Sequence, residues 1–253
     1  MDFVLKEENG FSYIDEGEGE VLLLLHGLMG ALSNWHKVIE EFRSDYRVII
    51  PILPIYDLPL LTTGVKTLAK YVHKFVMFKQ LKDVTLLGNS LGGHVALIYV
   101  LSHPAIVRSI VLTGSSGLYE NAFGGSFPRR GSYDFIKEKV EYTFYDPNTA
   151  TKELVDDVFR IINDRHSVIR ILAMAKSAIR HNMKKDLRNI HIPVSLIWGK
   201  DDKITPPEVA IEFEDELPNA ELHWIDKCGH APMMEQPEEF NRILRGFLEK
   251  IKV

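Results

Sequence analysis

Residues 84–97 read VTLLGNSLGGHVAL, and this stretch decides the fold. Its first four residues form an apolar run that stops at a glycine, which is typical of a buried strand. After Ser90 the apolar residues recur at helical spacing, so a helix is expected to follow the strand directly. Residues 88–92, at the junction, fit the pattern G-x-S-x-G. This arrangement predicts a serine at the tip of a sharp turn from strand to helix.

Glycine is required in this turn for a steric reason. In such a turn the residues two positions before and two positions after the serine nearly touch, and glycine lacks the Cβ that would collide. The pattern therefore favours a nucleophile elbow, in which the hydroxyl of Ser90 projects from the end of the sheet. The alternative is an ordinary glycine-rich turn of the kind that binds phosphate.

Composition limits the classes of protein to consider. The chain has 253 residues, of which 45% are hydrophobic, and this suits one large α/β domain or a domain with one insertion. The net charge of −5 does not indicate a nucleic-acid partner. Cys228 is the single cysteine, which excludes an intrachain disulfide. We expect a cytoplasmic protein with no membrane partner, because residues 1–4 lack signal-peptide features and the apolar run 21–25 is too short to span a bilayer.

Strand and helix patterns alternate along most of the chain. This alternation predicts an α/β fold with a mostly parallel eight-stranded sheet and helices on both faces. The strands are expected at residues 3–7, 11–15, 21–25, 47–51, 84–87, 107–113, 194–199 and 221–226. Asn9-Gly10 indicates a hairpin between the first two. Outside the region described next, helices are expected at residues 32–42, with Ser33 or Asn34 as N-cap, and at 68–78, 91–102, 207–216 and 237–252.

The pattern changes between residues 118 and 190. A glycine-containing loop is followed by helical stretches at 133–144, 152–163 and 167–179, and by a short one before Asn189, with no strand-like run among them. We therefore predict an all-helical cap at residues 118–190, inserted between two parts of one core, 1–117 and 191–253. Earlier in the chain, residues 51–61 contain three prolines and predict a stiff apolar loop.

A serine hydroxyl needs a general base, and the base needs an orienting group. In an open parallel sheet, reactive groups lie at the carboxyl ends of strands. KDD at residues 200–202 follows one predicted strand, and KCGH at 227–230 follows the last. The order serine, aspartate, histidine is the one that a nucleophile-elbow fold requires. His230 is therefore the predicted base, with Asp201 or Asp202 as the orienting acid.

Backbone amides are the predicted donors to the oxyanion of a tetrahedral intermediate. One is the N–H of Leu91, directly after the serine, and the other is that of Leu28, after His26-Gly27. His26 itself is expected to support this loop by hydrogen bonds, and His94 to be a packing residue. No pair of histidines has metal-ligand spacing, so no metal site is predicted.

Together these motifs resemble the serine α/β-hydrolase family with a helical cap. The matching segments are His26-Gly27, GNSLGG at 88–93, WGKDDKITP at 198–206 and CGHAP at 228–232. In that family the acid lies three residues after the glycine that ends the strand, which implies Asp202 here. The resemblance also implies that no cofactor is needed.

Within the family, GNSLGG, the double aspartate and KCGH look like the meta-cleavage-product hydrolases, which split a carbon–carbon bond in vinylogous diketo acids. Those enzymes typically have tryptophan after the catalytic histidine, where this chain has Ala231. They also carry a glycine- and proline-rich loop where this chain has Leu28-Met29-Gly30. The usual D-x-x-G-x-G-x-S motif after the fourth strand is replaced by the loop 51–61. Five residues are expected to line the substrate pocket: Asn89, Met29, Ile55, Tyr56 and Ala231.

The sequence therefore predicts a serine hydrolase, a monomer or homodimer, that acts on small to medium apolar carboxylic esters. In it, Ser90 attacks, His230 transfers the proton and Asp202 fixes the histidine tautomer. One alternative is carbon–carbon hydrolysis with the same three residues, and another is a ligand sensor that turns over slowly. The ester is preferred because the sequence places no arginine in the pocket to bind the carboxylate of a diketo acid. Arg165 of the cap is the first candidate for such an arginine.

Overall fold

The computed structural model describes residues 3–30, 35–121 and 129–252. These residues contain an eight-stranded sheet with the strand order β1-β2-β4-β3-β5-β6-β7-β8. The strands are β1 Lys6–Glu8, β2 Phe11–Glu16, β3 Glu20–Leu25, β4 Tyr46–Pro51, β5 Val84–Asn89, β6 Val107–Thr113, β7 Val194–Gly199 and β8 Ala220–Ile225. β2 is antiparallel to both β1 and β4, and all other neighbouring strands are parallel. The predicted mostly parallel eight-stranded sheet is confirmed.

The hairpin at the edge of the sheet forms at the predicted dipeptide. Asn9 and Gly10 have φ angles of 50° and 77°. Two consecutive positive φ angles give a tight turn whose twist matches that of the flanking strands, and asparagine and glycine tolerate them best. The first strand is shorter than expected and begins at Lys6.

β3 shows how the sheet is covered on both faces. Its residues 22–25 are leucines with no exposed surface. Alternate side chains of a strand point to opposite faces, so Leu23 and Leu25 pack in one apolar core and Leu22 and Leu24 in the other. The first core includes buried side chains of α2 Val65–Phe78, α3 Leu91–Ser102 and α8 Pro207–Glu216, and the second includes those of α1 His36–Phe42 and α10 Pro237–Lys250.

Helix boundaries differ from the prediction at several ends. α1 begins at His36 after Trp35, whereas the predicted start at residue 32 and the N-cap candidates Ser33 and Asn34 lie outside the described residues. α2 begins at Val65, three residues earlier than predicted. A short helix, α9 Pro232–Glu235, was not predicted, and a proline at its first position suits its N-terminus. The loop 51–61 leads into a single 3₁₀ turn, Leu60–Thr62.

Between β6 and β7 the described residues contain helices and no strand. The helices are α4 Tyr133–Tyr142, α5 Lys152–Asn163, α6 Arg165–Arg180 and α7 Lys184–Leu187. The first three begin with a capping side chain, since Ser132, Thr151 and Asp164 each accept a hydrogen bond from an amide three residues later. We call α4–α7 the cap helices; the domain boundaries at 118 and 190 stay a prediction.

The cap helices are tied to the loops and helices of the core. The backbone N–H of Val65 donates to Ser177 Oγ at 3.2 Å, and Arg170 Nε donates to the carbonyl of Leu58 at 2.7 Å. Both cap residues belong to α6, which therefore lies against the loop 51–61 and the start of α2. None of the helices in the described ranges combines the length and apolar character needed to cross a membrane.

The turn between β5 and α3 brings the strand and the helix very close together. Ser90 has φ 54° and ψ −121°, a left-handed conformation that a residue with a side chain rarely adopts. A Cβ on Gly88 would lie 2.5 Å from Gly93 Cα, and a Cβ on Gly92 would collide with the carbonyl oxygen of Leu25. The backbone passes so close at these positions that only glycine fits without movement.

We predict that Gly88→Ala lowers the free energy of unfolding by about 1–3 kcal/mol, because the added methyl overlaps backbone atoms that must move. Gly246→Ala is the matched control, since a Cβ there meets nothing within 4 Å. In the interior of α10 it should raise stability by about 0.5–1 kcal/mol. Urea denaturation of both variants measures the difference; equal stability of the two would contradict the proposed crowding.

Candidate active site

Asp202 lies in the loop after β7, and its carboxylate is almost fully buried, with 3% of the residue exposed. It accepts hydrogen bonds from the amides of Ile204 and Thr205 at 2.8 and 3.0 Å, and from Thr205 Oγ1 at 2.8 Å. The loop is itself held because Trp198 Nε1 donates to the carbonyl of Thr205 at 2.8 Å. The carboxylate is therefore fixed in one orientation before any substrate binds.

His230 is the partner of this carboxylate. Its Nδ1 lies 2.9 Å from Asp202 Oδ2 and 3.2 Å from Oδ1. The loop that carries the histidine is anchored at two points: the His230 amide donates to Thr143 O at 3.0 Å, and the Gly229 amide to Glu235 Oε1 at 2.8 Å. Thr143 follows helix α4, so a cap helix takes part in holding the ring.

The charges around His230 change its proton affinity. Burial alone would lower the pKa of the ring, but the negative charge and the hydrogen bond of Asp202 act against it, together with the charges of Glu120 and Glu235. The net result is a pKa of His230 above its ordinary value of about 6.5. A buried carboxylate next to a buried imidazole stabilises the imidazolium form.

The neighbouring Asp201 has a different environment. It is half-buried, and its backbone N–H donates to the carbonyl of Cys228 at 2.9 Å. The sequence motifs alone left open whether Asp201 or Asp202 orients the histidine. In the structure Asp202 is the one that contacts His230.

Ser90 and His230 line the same pocket. Among the described residues, the hydrogen bonds of the His230 ring go to Asp202 and Thr205, and none goes to Ser90. The hydrogen bond that proton transfer requires must therefore form in the complex with substrate, as is common for sites without bound substrate. The Ser90 backbone is fixed meanwhile, because its N–H donates to Thr113 O and its carbonyl accepts from the Ser116 amide, both at 3.1 Å.

The two predicted oxyanion donors lie beside Ser90. Leu91 is the first residue of α3, so its amide has no acceptor one turn earlier in the helix. Leu28 lies in the loop after β3, where a Cβ on Gly27 would be 3.3 Å from Ser90 Cβ. Both leucines line the pocket that contains the serine.

His26 and Tyr56 hold the loop that presents Leu28. The Leu53 amide donates to His26 Nε2 at 2.9 Å, so the ring carries its proton on Nδ1 and donates it to Gly27 O at 2.9 Å. Burial lowers the pKa of His26, which favours this neutral form. The Tyr56 hydroxyl donates to the carbonyl of Leu28 at 2.8 Å. The structure thus gives His26 the supporting contacts expected for it.

The five residues expected to line the substrate pocket separate into two groups. Met29, Asn89 and Ala231 line it. Ile55 and Tyr56 are not among its described lining residues. Ile55 is fully buried in the core and the Tyr56 hydroxyl contacts the oxyanion loop, so a substrate-binding role for these two residues stays a prediction. The Asn89 amide nitrogen is already engaged, since it donates to Thr113 O and His230 O at 3.0 and 3.1 Å.

The walls of the pocket are mainly apolar and come largely from the cap helices. Four of these wall residues are Val140, Leu154, Val158 and Ile171. Within the described lining, Lys176 of α6 is the only lysine or arginine and Glu120 the only carboxylic acid. The cap arginines 129, 130 and 165 are not among the lining residues.

Several residues of the site were missed from sequence. Thr205 was quoted in the family motif, but its hydrogen bonds to Asp202 were not anticipated. Ser116 lies at the end of the predicted first core part and Glu120 at the start of the predicted cap, and neither is predicted from sequence to belong to the site. The signal that could have found them is their place after the carboxyl end of a central parallel strand, where functional groups collect.

The fold agrees with comparisons to known proteins. Residues 20–237 match the family described as the alpha/beta hydrolase fold, and the chain belongs to this family. The predicted family and the enzyme class, a hydrolase, are thereby confirmed.

Three similar proteins illustrate these comparisons. A 2-hydroxy-6-oxononadienedioate/2-hydroxy-6-oxononatrienedioate hydrolase of Paraburkholderia phymatum is 31% identical over 93% of this chain and 90% of its own. A hydrolase of the same name from a Pseudomonas species is 28% identical, with 99% and 96% covered. The solved structure of MGS-MChE2, an alpha/beta hydrolase enzyme from a metagenome of lagoon sediments at Mar Chica, Morocco, is 46% identical with a TM-score of 0.81 and 98% of each chain covered.

The two aspartates give a paired test of the site. We predict that Asp202→Asn lowers kcat by about 10²- to 10⁴-fold, because an amide at this position favours the wrong histidine tautomer. Asp201→Asn should cost less than about tenfold, since that side chain does not hold His230. Hydrolysis rates of both folded variants decide the matter, and a larger loss at Asp201 would contradict the assignment.

Proposed function

We propose that this chain is a serine hydrolase that cleaves an acyl bond through a covalent acyl-enzyme on Ser90. The observation that carries the proposal is the ring of His230, held 2.9 Å from the buried carboxylate of Asp202 in the pocket that contains the serine. A serine hydroxyl becomes an effective nucleophile only when such an oriented base can take its proton.

The reaction follows from these positions. His230 Nε2 takes the proton of Ser90 while the hydroxyl oxygen attacks the substrate carbonyl, and Asp202 stabilises the imidazolium through Nδ1–H. The amides of Leu91 and Leu28 donate to the oxyanion of the tetrahedral intermediate. The intermediate collapses, and His230 delivers the proton to the leaving group. A water molecule, activated by the same histidine, then releases the acid and regenerates Ser90.

The first candidate for the cleaved bond is a carbon–carbon bond in a vinylogous diketo acid. The names of the curated relatives support this alternative better than the ester that was preferred from sequence. In such a reaction the substrate first becomes a ketone, and the departing carbanion is stabilised by a conjugated tail that bears a carboxylate. Lys176, an exposed residue of α6 and the one lysine or arginine of the described pocket lining, is the proposed partner for that carboxylate.

Carboxylic ester hydrolysis is the second candidate, and the composition of the pocket favours it. Apart from Lys176 and Glu120 the walls contributed by the cap helices are mainly apolar. An ester needs only the nucleophile, the base and the oxyanion donors, because an alkoxide leaves readily once it is protonated. An uncharged ester would also bring no anionic group into this pocket, so it would need no cationic partner there.

A direct comparison of substrates tests the proposal. We predict that kcat/KM for a meta-cleavage dienoic acid exceeds that for a short aryl ester by tenfold or more. Ser90→Ala should lower kcat for either substrate by about 10³-fold or more, because the three residues act as a unit. A tenfold preference for the ester would replace the first candidate by the second. Failure of the native protein to turn over either compound would contradict enzymatic hydrolysis and favour a ligand sensor.

The pH dependence tests the role of His230 separately. The histidine must be neutral to act as a base, and its pKa is raised above about 6.5, so activity is present above that pKa and lost as the pH falls through it. We predict that kcat/KM rises about tenfold per pH unit below the pKa of His230 and levels off above it. A stopped assay between pH 5 and 9 measures the profile. A rate that does not change between pH 5 and 8 would exclude His230 as the base.

A further inference from the structure

Glu120 is a carboxyl group that the proposed mechanism does not use. It lies beyond β6 and lines the same pocket as Ser90 and His230. Its Oε2 accepts a hydrogen bond from Ser116 Oγ, and the Ser116 amide in turn donates to the carbonyl of Ser90. The side chain is therefore connected to the backbone of the nucleophile by two successive hydrogen bonds.

The carboxylate of Glu120 has no described lysine or arginine as an ion-pair partner. In the parts of the chain that the structure describes, no lysine or arginine forms an ion pair with it; Lys176 lines the same pocket without such a contact. Burial raises the pKa of its carboxyl, while the hydrogen bond from Ser116 and the positive charge of protonated His230 act in the opposite direction. A partly buried acid without a lysine or arginine partner affects the charge that can be bound next to it.

The other pocket residues give Glu120 a distinct chemical role. Its neighbours in the lining include apolar side chains such as Ile204 and Leu28, which cannot hydrogen-bond to a substrate. One oxygen of the carboxyl accepts from Ser116, and a carboxylate has acceptor sites to spare on both oxygens. A substrate group that donates a hydrogen bond finds an acceptor there, whereas a carboxylate finds a like charge in a site of low dielectric.

We infer that Glu120 is a specificity-determining residue that accepts a hydrogen bond from an uncharged or cationic donor group of the substrate and excludes a carboxylate from the part of the pocket next to His230. The inference rests on the proposed function, because it concerns the substrate of the same site. It also sets an orientation: an anionic end of any substrate must point away from Glu120.

The test uses two sets of phenyl esters. One set carries a methyl, a carboxylate or a dimethylammonium group at the end of the acyl chain, and the other carries the same groups at the para position of the phenol. In at least one set, Glu120→Gln should raise kcat/KM for the carboxylate ester about tenfold or more, and lower that for the ammonium ester similarly. At a pH above the pKa of His230, where the base is neutral in both proteins, the methyl ester should change less than about twofold, because glutamine keeps an acceptor for Ser116 and removes only the charge.

Glu138→Gln is the matched control, since it removes one acidic charge from an exposed site on α4 outside the pocket. It should leave all ratios between the esters unchanged. If Glu120→Gln changes the three esters by one common factor in both sets, its role is structural and the inference is wrong. Melting temperatures of both variants establish that they are folded.

A binding measurement separates this inference from the proposed function. Calorimetry in the Ser90→Ala background gives dissociation constants for the same esters with and without Glu120→Gln, and it needs no turnover. The inference predicts that the glutamine selectively tightens binding of the carboxylate ester, by about tenfold. If the native chain turns over no ester but the Ser90→Ala background shows this binding selectivity, only the catalytic proposal is contradicted. Equal binding changes for all esters, or no binding of any ester, would contradict the role of Glu120.

Discussion

The close approach of β5 and α3 at Gly88 and Gly93 is the constraint on which the site depends. A Cβ on Gly88 would be 2.5 Å from the backbone of Gly93, so the strand can turn into the helix only at glycine. This turn forces Ser90 into a left-handed conformation, and the first amide of α3 is left without an acceptor in the helix. The serine and a donor to its oxyanion are thus fixed by the same backbone geometry, whatever the substrate.

The remaining groups reach this turn from the ends of other parallel strands. Asp202 follows β7 and is held by three hydrogen bonds from its own loop, while His230 follows β8 and is anchored to residues beyond α4. Because these groups are buried, their charges act strongly on one another, which is why the pKa of His230 is raised in spite of burial. The cap helices contribute an anchor for the histidine loop as well as the apolar walls.

The sequence predicted the parts of the fold that follow from local patterns. The leucine run of β3 is buried on both faces, and Asn9-Gly10 forms the hairpin, because periodicity and turn chemistry are encoded within a few residues. Strand order predicts that an aspartate of the loop after β7 lies beside His230, and the family resemblance selects Asp202 rather than Asp201. The hydrogen bond from the Tyr56 hydroxyl to the carbonyl of Leu28 could not be predicted, since it depends on which way a proline-rich loop folds over its neighbours. For Glu120 the position after a central parallel strand is a signal in the sequence, but it does not fix where the side chain points.

The central claim is that Ser90 is the nucleophile, and the mass of the protein after treatment with a fluorophosphonate tests it most directly. Such a reagent forms a stable ester only with a serine that an oriented base has activated. The account predicts one phosphonyl group per native chain, located on Ser90 by peptide mapping. A folded native chain that stays unmodified, or that carries the group on another residue, would contradict it.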